Sequence, residues 1–129
     1  MSAARNRRIL LVDDSPMALE LGKLALESAG HQVLTACDLA ELEHHAAHAE
    51  VDLILMDVQM PELYGDDVAM VLRGVRGVST PIYLLSSLSA DELAERAHSA
   101  EVDGFITKSG GPSALVARVN EILGAPERP

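Results

Sequence analysis

The sequence predicts an α/β chain of the doubly wound, flavodoxin-like (βα)5 kind: a five-stranded parallel sheet in the order 2-1-3-4-5 with helices on both faces. Three observations lead there. Short apolar runs alternate with helix-patterned stretches five times along the 129 residues, which argues for a parallel sheet. Strand–helix connections of this length impose right-handed parallel crossovers. Four of the apolar runs end in a carboxylate, a hydroxyl or an ammonium, and sheets of this type bind ligands beyond the carboxyl ends of their strands.

The elements follow in order. Arg8-Ile9-Leu10-Leu11-Val12 is the first strand and runs into Asp13-Asp14. Ser15 caps the first helix with Pro16 at its first position, where a missing N–H does no harm. Met17, Leu21 and Leu24 recur at helical spacing and are expected to mark its apolar face, and Gly30 stops it. The second strand is about Gln32 to Ala36. Asp38 and Glu41 have capping-box spacing for a second helix to about Ala49. Asp52 to Asp57 is the third strand. A third helix, about Asp66 to Val75, shows Val68, Val71, Leu72 and Val75 on one face. Pro81-Ile82-Tyr83-Leu84-Leu85 is the fourth strand and ends at Ser86-Ser87. Ser89 and Glu92 open a fourth helix, about Ala90 to Ala100. Its apolar face of Leu93, Ala94, Ala97 and Ala100 is thin, so it should be weakly held. Asp103-Gly104-Phe105-Ile106-Thr107 leads to Lys108. Pro112 starts the last helix, whose Leu115, Val116, Val119, Ile122 and Leu123 make a strong stripe. The expected division is a lead-in over 1–6, one domain over 7–124, and a tail or start of a linker over 125–129.

Composition excludes several classes. Hydrophobic residues make up 48% of the chain, enough for a compact core rather than disorder. The formal charge of −10 opposes nucleic-acid binding, which rests on Lys and Arg neutralising phosphates. Aromatics are 2% with no Trp, so stacking platforms for single strands are missing. The basic cluster Arg5, Arg7 and Arg8 reads as a solvated lead-in. No apolar run reaches the roughly 18–20 residues of a membrane span, and Met1 to Arg8 lacks the apolar centre of a secretory signal. A single cysteine, Cys37, forms no internal disulfide and fits a reducing cytoplasm; it reads as a small, partly buried residue. The i, i+4 pair His44 and His48, beside His45, has zinc spacing but no third ligand, and reads as a solvated helix face. No glycine-rich phosphate loop appears.

Aligned strand ends bring Asp13, Asp14, Asp57, Ser86 and Lys108 to one edge. Crowded carboxylates repel, which a raised pKa or a bound cation relieves. Carboxylates, a backbone carbonyl and waters suit Mg²⁺. An aspartate such as Asp57 can take a phosphoryl group as an acyl phosphate. Mg²⁺ and Lys108 would offset charge on the transferring oxygens, and Ser86 could donate to the phosphate.

On these residues the chain resembles the receiver domain of two-component response regulators over nearly all of residues 7 to 124. The matching segments are Ile9-Leu10-Leu11-Val12-Asp13-Asp14-Ser15, Asp52-Leu53-Ile54-Leu55-Met56-Asp57 with Met60-Pro61 and Gly65, then Ser86 and Lys108. The resemblance implies that Asp57 is the phosphoacceptor and that Mg²⁺ is held by Asp13, Asp14, Asp57 and the backbone carbonyl of Gln59. It implies that Ser86 is the switch hydroxyl, Phe105 the aromatic that follows it, and Lys108 the cation on the phosphate. Gln59 and Leu88 are expected to modulate water access to the phosphate. The implied partners are a histidine kinase or phosphotransfer protein, and a downstream protein target or fused output domain. The fourth helix, fifth strand and fifth helix would form the output surface and support a phosphorylation-dependent dimer. Such a domain is a phosphoacceptor switch rather than a substrate-turning enzyme.

Two departures stand out. Ser109 follows Lys108 where the family usually has proline, often in a cis peptide. Without proline a cis bond costs about 2.5–4 kcal/mol, so a trans bond is expected, in a looser loop that places Lys108 less rigidly. Leu63-Tyr64-Gly65 replaces the common Met-Asp-Gly, and Tyr64 reads as surface. The alternative is a pseudo-receiver, an interaction module working without phosphorylation. A phosphohydrolase of the haloacid dehalogenase type is disfavoured because Gln59 stands where an acid–base aspartate would be needed.

Overall fold

Leu10, Leu53, Leu55 and Met56 are all fully buried, consecutive strand residues included. Such runs require cover on both faces of a sheet. In the computed structural model, which describes residues 7–48, 51–58, 80–100 and 102–123, that cover is supplied by the helices between the strands. The strands are β1 (Arg8–Val12), β2 (Gln32–Ala36), β3 (Leu53–Asp57), β4 (Ile82–Ser86) and β5 (Gly104–Thr107). They form one five-stranded sheet in the order β2-β1-β3-β4-β5, every neighbouring pair parallel. This is the fold class and strand order expected from the sequence.

The described helices are α1 (Pro16–Ser28), α2 (Leu39–His48), α3 (Ala90–Ala100) and α4 (Gly111–Leu123). α3 and α4 are the fourth and fifth helices of the sequence reading. The expected helix between β3 and β4, with Tyr64 and Asp66-Asp67, lies outside the described residues. Strand residues alternate between two cores. Ile9, Leu11, Leu53, Leu55 and Leu85 pack with Leu19 and Leu26 of α1 and Val119 of α4. Leu10, Val12, Ile54, Met56 and Ile82 pack with Leu42 of α2. Farther along, Val58 and Leu84 join Leu93 and Ala97 of α3. No helix among the described residues is long and apolar enough to cross a membrane.

Local rules set the helix starts. Ser15 Oγ accepts the Ala18 N–H at 3.2 Å, with Pro16 in the first turn. Asp38 Oδ1 accepts the Glu41 N–H, and Glu41 Oε1 accepts the Cys37 N–H, both at 2.8 Å. The capping box therefore closes one residue earlier than its usual form. That bond holds the Glu41 carboxyl below the ordinary range, and the hydrogen bond with Glu41 pushes the Cys37 thiol up. Ser89 Oγ accepts the Glu92 N–H at 3.2 Å. Gly30 ends α1 at φ 98°, in the left-handed region. At the opposite sheet edge, Asp52 and Asp103 accept the Arg8 and Ile82 N–H groups, each at 2.8 Å. Asp52 thus precedes β3 rather than opening it.

Four expectations are corrected. Met17, Leu21 and Leu24 are 71%, 56% and 63% exposed, and the buried stripe of α1 is Leu19 and Leu26. Gly22 shares that inner face, and a Cβ there would lie 2.7 Å from Leu11 Cδ2. Glycine lets the helix sit close on β1 and so sets its rotation. Cys37 is exposed, not partly buried. Ala94 faces solvent, leaving Leu93 and Ala97 as the buried contacts of α3 among its described side chains. After β5 the chain makes a 3-10 turn, Lys108–Gly110, and α4 begins at Gly111, one residue before Pro112.

The corrected rotation of α1 is testable. Leu26→Ala should destabilise the fold by about 2–5 kcal/mol, whereas Leu24→Ala should change stability by less than about 0.5 kcal/mol. Urea denaturation of the two variants reads both. Equal losses would return Leu24 to the core.

Candidate functional site

Register sets the site. Val12 pairs with Met56 across β1 and β3, so Asp13 and Asp57, the next residues, leave the sheet side by side. Asp57 pairs with Leu85 and Ser86 with Thr107, so Ser86 and Lys108 emerge one step farther along. Carboxylate oxygens of Asp13, Asp14 and Asp57 lie within 4.8 Å of one another. Asp13 and Asp57 are buried and Asp14 is exposed, which leaves one side of the cluster open to water.

Both carboxylate oxygens of Asp13 are engaged. Oδ1 accepts the Ser15 N–H at 3.0 Å. Oδ2 accepts from Lys108 Nζ at 3.1 Å. The lysine therefore spans from the end of β5 to the end of β1 and reaches the cluster through Asp13. Its charge offsets part of the carboxylate repulsion. Beside the pair, a cleft of about 180 Å³ runs between α1 and α4, lined by Ala18, Leu21, Gly22, Pro112 and Leu115, with Asp13 and Lys108 in its wall.

Ser86 is completely buried. Its Oγ accepts the Leu88 N–H at 3.2 Å. Leu88 in turn packs on the cluster of Val58, Leu84, Leu93 and Ala97, where Phe105 also packs, half-buried. The hydroxyl and the aromatic thus share a physical path through Leu88 to α3.

The structure accordingly brings together Asp13, Asp14, Asp57 and Lys108, ends β4 at Ser86 one step farther along, and packs Leu88 and Phe105 on the α3 cluster. Gln59, with the Met60-Pro61 and Gly65 segment, lies outside the described residues. The 108–109 peptide is trans, as expected without proline. Ser109 does not leave the loop shapeless: its Oγ lies 3.1 Å from Thr107 Oγ1. The sequence reading overlooked Thr107. The signal was present in two hydroxyl residues flanking Lys108 at i−1 and i+1. Of the α2 histidines whose side chains are described, His45 Nε2 lies 3.1 Å from the Thr35 carbonyl, and His44 meets His45 edge to face.

The donor set is chemically coherent. Three carboxylates supply hard oxygen ligands of the kind Mg²⁺ and Ca²⁺ take. Their mutual repulsion is the feature a cation would relieve.

Residues 9–120 match the response regulator receiver domain family. The chain is 38% identical over 107 residues to the gliding motility regulatory protein of Myxococcus xanthus, covering 82% of this chain and 14% of that protein. It is 35% identical over 120 residues to the alkaline phosphatase synthesis transcriptional regulatory protein PhoP of Bacillus subtilis, covering 92% and 49%. The chain therefore spans half or less of these curated relatives. Among solved structures it resembles the chemotaxis protein CheY4 of Vibrio cholerae, with a TM-score of 0.82, 27% identity, and 92% and 99% of the two chains covered. The chain belongs to the response regulator receiver domains of two-component systems.

Proposed function

We propose that this receiver works by Mg²⁺-dependent phosphoryl transfer from a histidine kinase or phosphotransfer protein to Asp57. The observation that carries the reading is the cluster itself: three carboxylates within 4.8 Å of one another, with a lysine ammonium 3.1 Å from one of them. A carboxylate oxygen of Asp57 attacks the phosphorus of a phosphohistidine. The P–O bond forms as the P–N bond breaks, and the electron pair leaves with the imidazole nitrogen. Asp13, Asp14 and Asp57 would hold the metal, joined by the backbone carbonyl of Gln59. When bound, Mg²⁺ would supply positive charge where the phosphoryl oxygens gather negative charge.

The chain's own groups do the rest. Lys108 exchanges Asp13 for a phosphoryl oxygen. Ser86 turns its hydroxyl from the Leu88 N–H toward the phosphate. That frees Leu88, and Phe105 and α3 repack with it, altering the surface formed by α3, β5 and α4. This surface would meet a downstream protein or an attached output domain, or pair with a second copy after phosphorylation. Leu88, and Gln59 two residues after the acceptor, would govern how readily water reaches the acyl phosphate. Residues 7–124 would make up this domain, with 1–6 and 125–129 flanking it, in a cytoplasmic setting without nucleic-acid contact. The pseudo-receiver reading gains no specific support, since every titratable group of the switch that is described stands in place.

Intact-protein mass after incubation with acetyl phosphate and Mg²⁺ tests the reading. Wild type should gain one phosphoryl group, about 80 Da, and Asp57→Asn none. A gain at another residue, or none in wild type, would overturn it. The same variant should be more stable than wild type without Mg²⁺, by about 1 kcal/mol or more, because one of three crowded charges is gone. Urea midpoints at low salt measure this, and the difference should vanish when Mg²⁺ saturates the wild type.

Lys108→Ala should slow phosphorylation at least tenfold while leaving Mg²⁺ affinity unchanged or raised, because it removes a cation that competes for Asp13. Calorimetric titration of Mg²⁺ beside the mass assay separates the two effects. Weaker metal binding with normal phosphorylation would contradict the role given to Lys108.

A further inference from the structure

We propose that Ser109 is a positioning residue for Lys108: its hydroxyl, joined to that of Thr107 across the lysine, holds the turn that aims the ammonium into the carboxylate cluster. The inference rests on the phosphoacceptor reading above.

Thr107 Oγ1 and Ser109 Oγ lie 3.1 Å apart, one residue on either side of Lys108. Thr107 occupies the N-cap position of the 3-10 turn Lys108–Gly110, yet its side chain does not cap the backbone. It is directed to Ser109 instead. Lys108 then reaches Asp13 Oδ2 at 3.1 Å. A lysine carries its charge on a flexible four-carbon stem, so the direction in which the turn sends that stem decides how often the ammonium meets its partner.

The remaining turn positions are committed to glycine. A Cβ on Gly110 would collide with the Ala114 methyl, and Gly111 sits at φ 78°, a conformation that side-chain-bearing residues enter at a cost. Within the turn Lys108–Gly110, Ser109 is therefore the side chain next to Lys108 that can brace it, with Thr107 as its partner. Proline would not serve at 109 in this geometry. The residue before a proline is steered out of the helical region, whereas Lys108 takes up the 3-10 conformation. Proline would also remove the hydroxyl that Thr107 meets. Lys-Ser-Gly-Gly is thus a coherent joint of its own kind, braced by a hydroxyl pair.

The test compares wild type with Ser109→Ala and Ser109→Thr in two arms. In the first, without Mg²⁺ or phosphodonor, hydrogen exchange of the Lys108 ammonium is followed by NMR on lysine-labelled protein. Exchange should quicken about fivefold in Ser109→Ala, the effect of losing one neutral hydrogen bond, and return to the wild-type rate in Ser109→Thr. In the second arm, with acetyl phosphate and Mg²⁺, the maximal phosphorylation rate of Ser109→Ala should fall by about the same factor. The half-saturating acetyl phosphate concentration and the far-UV circular dichroism should stay unchanged, and Ser109→Thr should again recover. Unaltered ammonium exchange in Ser109→Ala overturns the proposal, whatever happens to the rate. So does failure of Ser109→Thr to recover, because the hydroxyl would then not be the acting group. If wild type accepts no phosphoryl group, the acceptor reading fails, and the ammonium arm still decides whether Ser109 positions Lys108.

Discussion

Burial of the central strands on both faces is the constraint from which the site follows. β3 is buried along its whole length, and β1 from Ile9 to Val12. No polar side chain can stand within such a run without an unmet desolvation cost. Polar chemistry is therefore confined to the strand ends, and parallel strands end together. Asp13 and Asp57 are neighbours because β1 and β3 are register partners through Val12 and Met56. The same geometry concentrates three carboxylates where repulsion opposes folding. The chain meets this with Lys108, the Ser15 N–H and one open, solvated member, Asp14. A candidate cation site and a crowded edge are thus two descriptions of one arrangement.

Most of this was legible because strand-end chemistry is periodic and local. Continuous apolar runs, their terminal Asp, Ser and Lys residues, and the Ser15-Pro16 and Ser89 caps each depend on a few adjacent residues. What escaped depends on contacts between elements. α1 carries Leu at 19, 21, 24 and 26, enough for two opposite stripes, and apolar spacing alone cannot choose between them. The choice rests on Gly22 against Leu11, which a reading for apolar residues passes over because glycine adds nothing to a stripe. Cys37 was assigned by residue type; it stands exposed at the turn where Glu41 reaches back to its N–H. The partner of Lys108 also depends on the full fold, since 95 residues separate it from Asp13.

Ser86 shows how a buried hydroxyl can couple chemistry to shape. It is fully buried, so its hydrogen bonds form away from water, where exchanging one partner for another matters most. Its accepted bond from the Leu88 N–H ties it to a residue that packs beside Phe105 and α3. In the proposed switch, a demand on the hydroxyl from the phosphate side would therefore reach Leu88 directly, without a long relay. Tyr83 takes no part in this path: it packs on the other face, against the α1 and α4 core, with the Arg118 guanidinium 5.8 Å from its ring centre.

How far such a demand can move the surface depends on how firmly α3 is held. Leu93 and Ala97 are its buried anchors among the described side chains. A buried leucine contributes roughly 1.5–3 kcal/mol and an alanine methyl well under that. α4 instead lays Leu115, Val116, Val119, Ile122 and Leu123 on the core. A ligand shifts an equilibrium only by its differential affinity for the two states. One charge-assisted hydrogen bond from Ser86 to a phosphate would be worth about 1.5–3 kcal/mol, of the order of burying Leu93 and less than burying the α4 stripe. In the proposed switch α3 would therefore be the element that moves, and α4 with β5 the frame against which the movement is read.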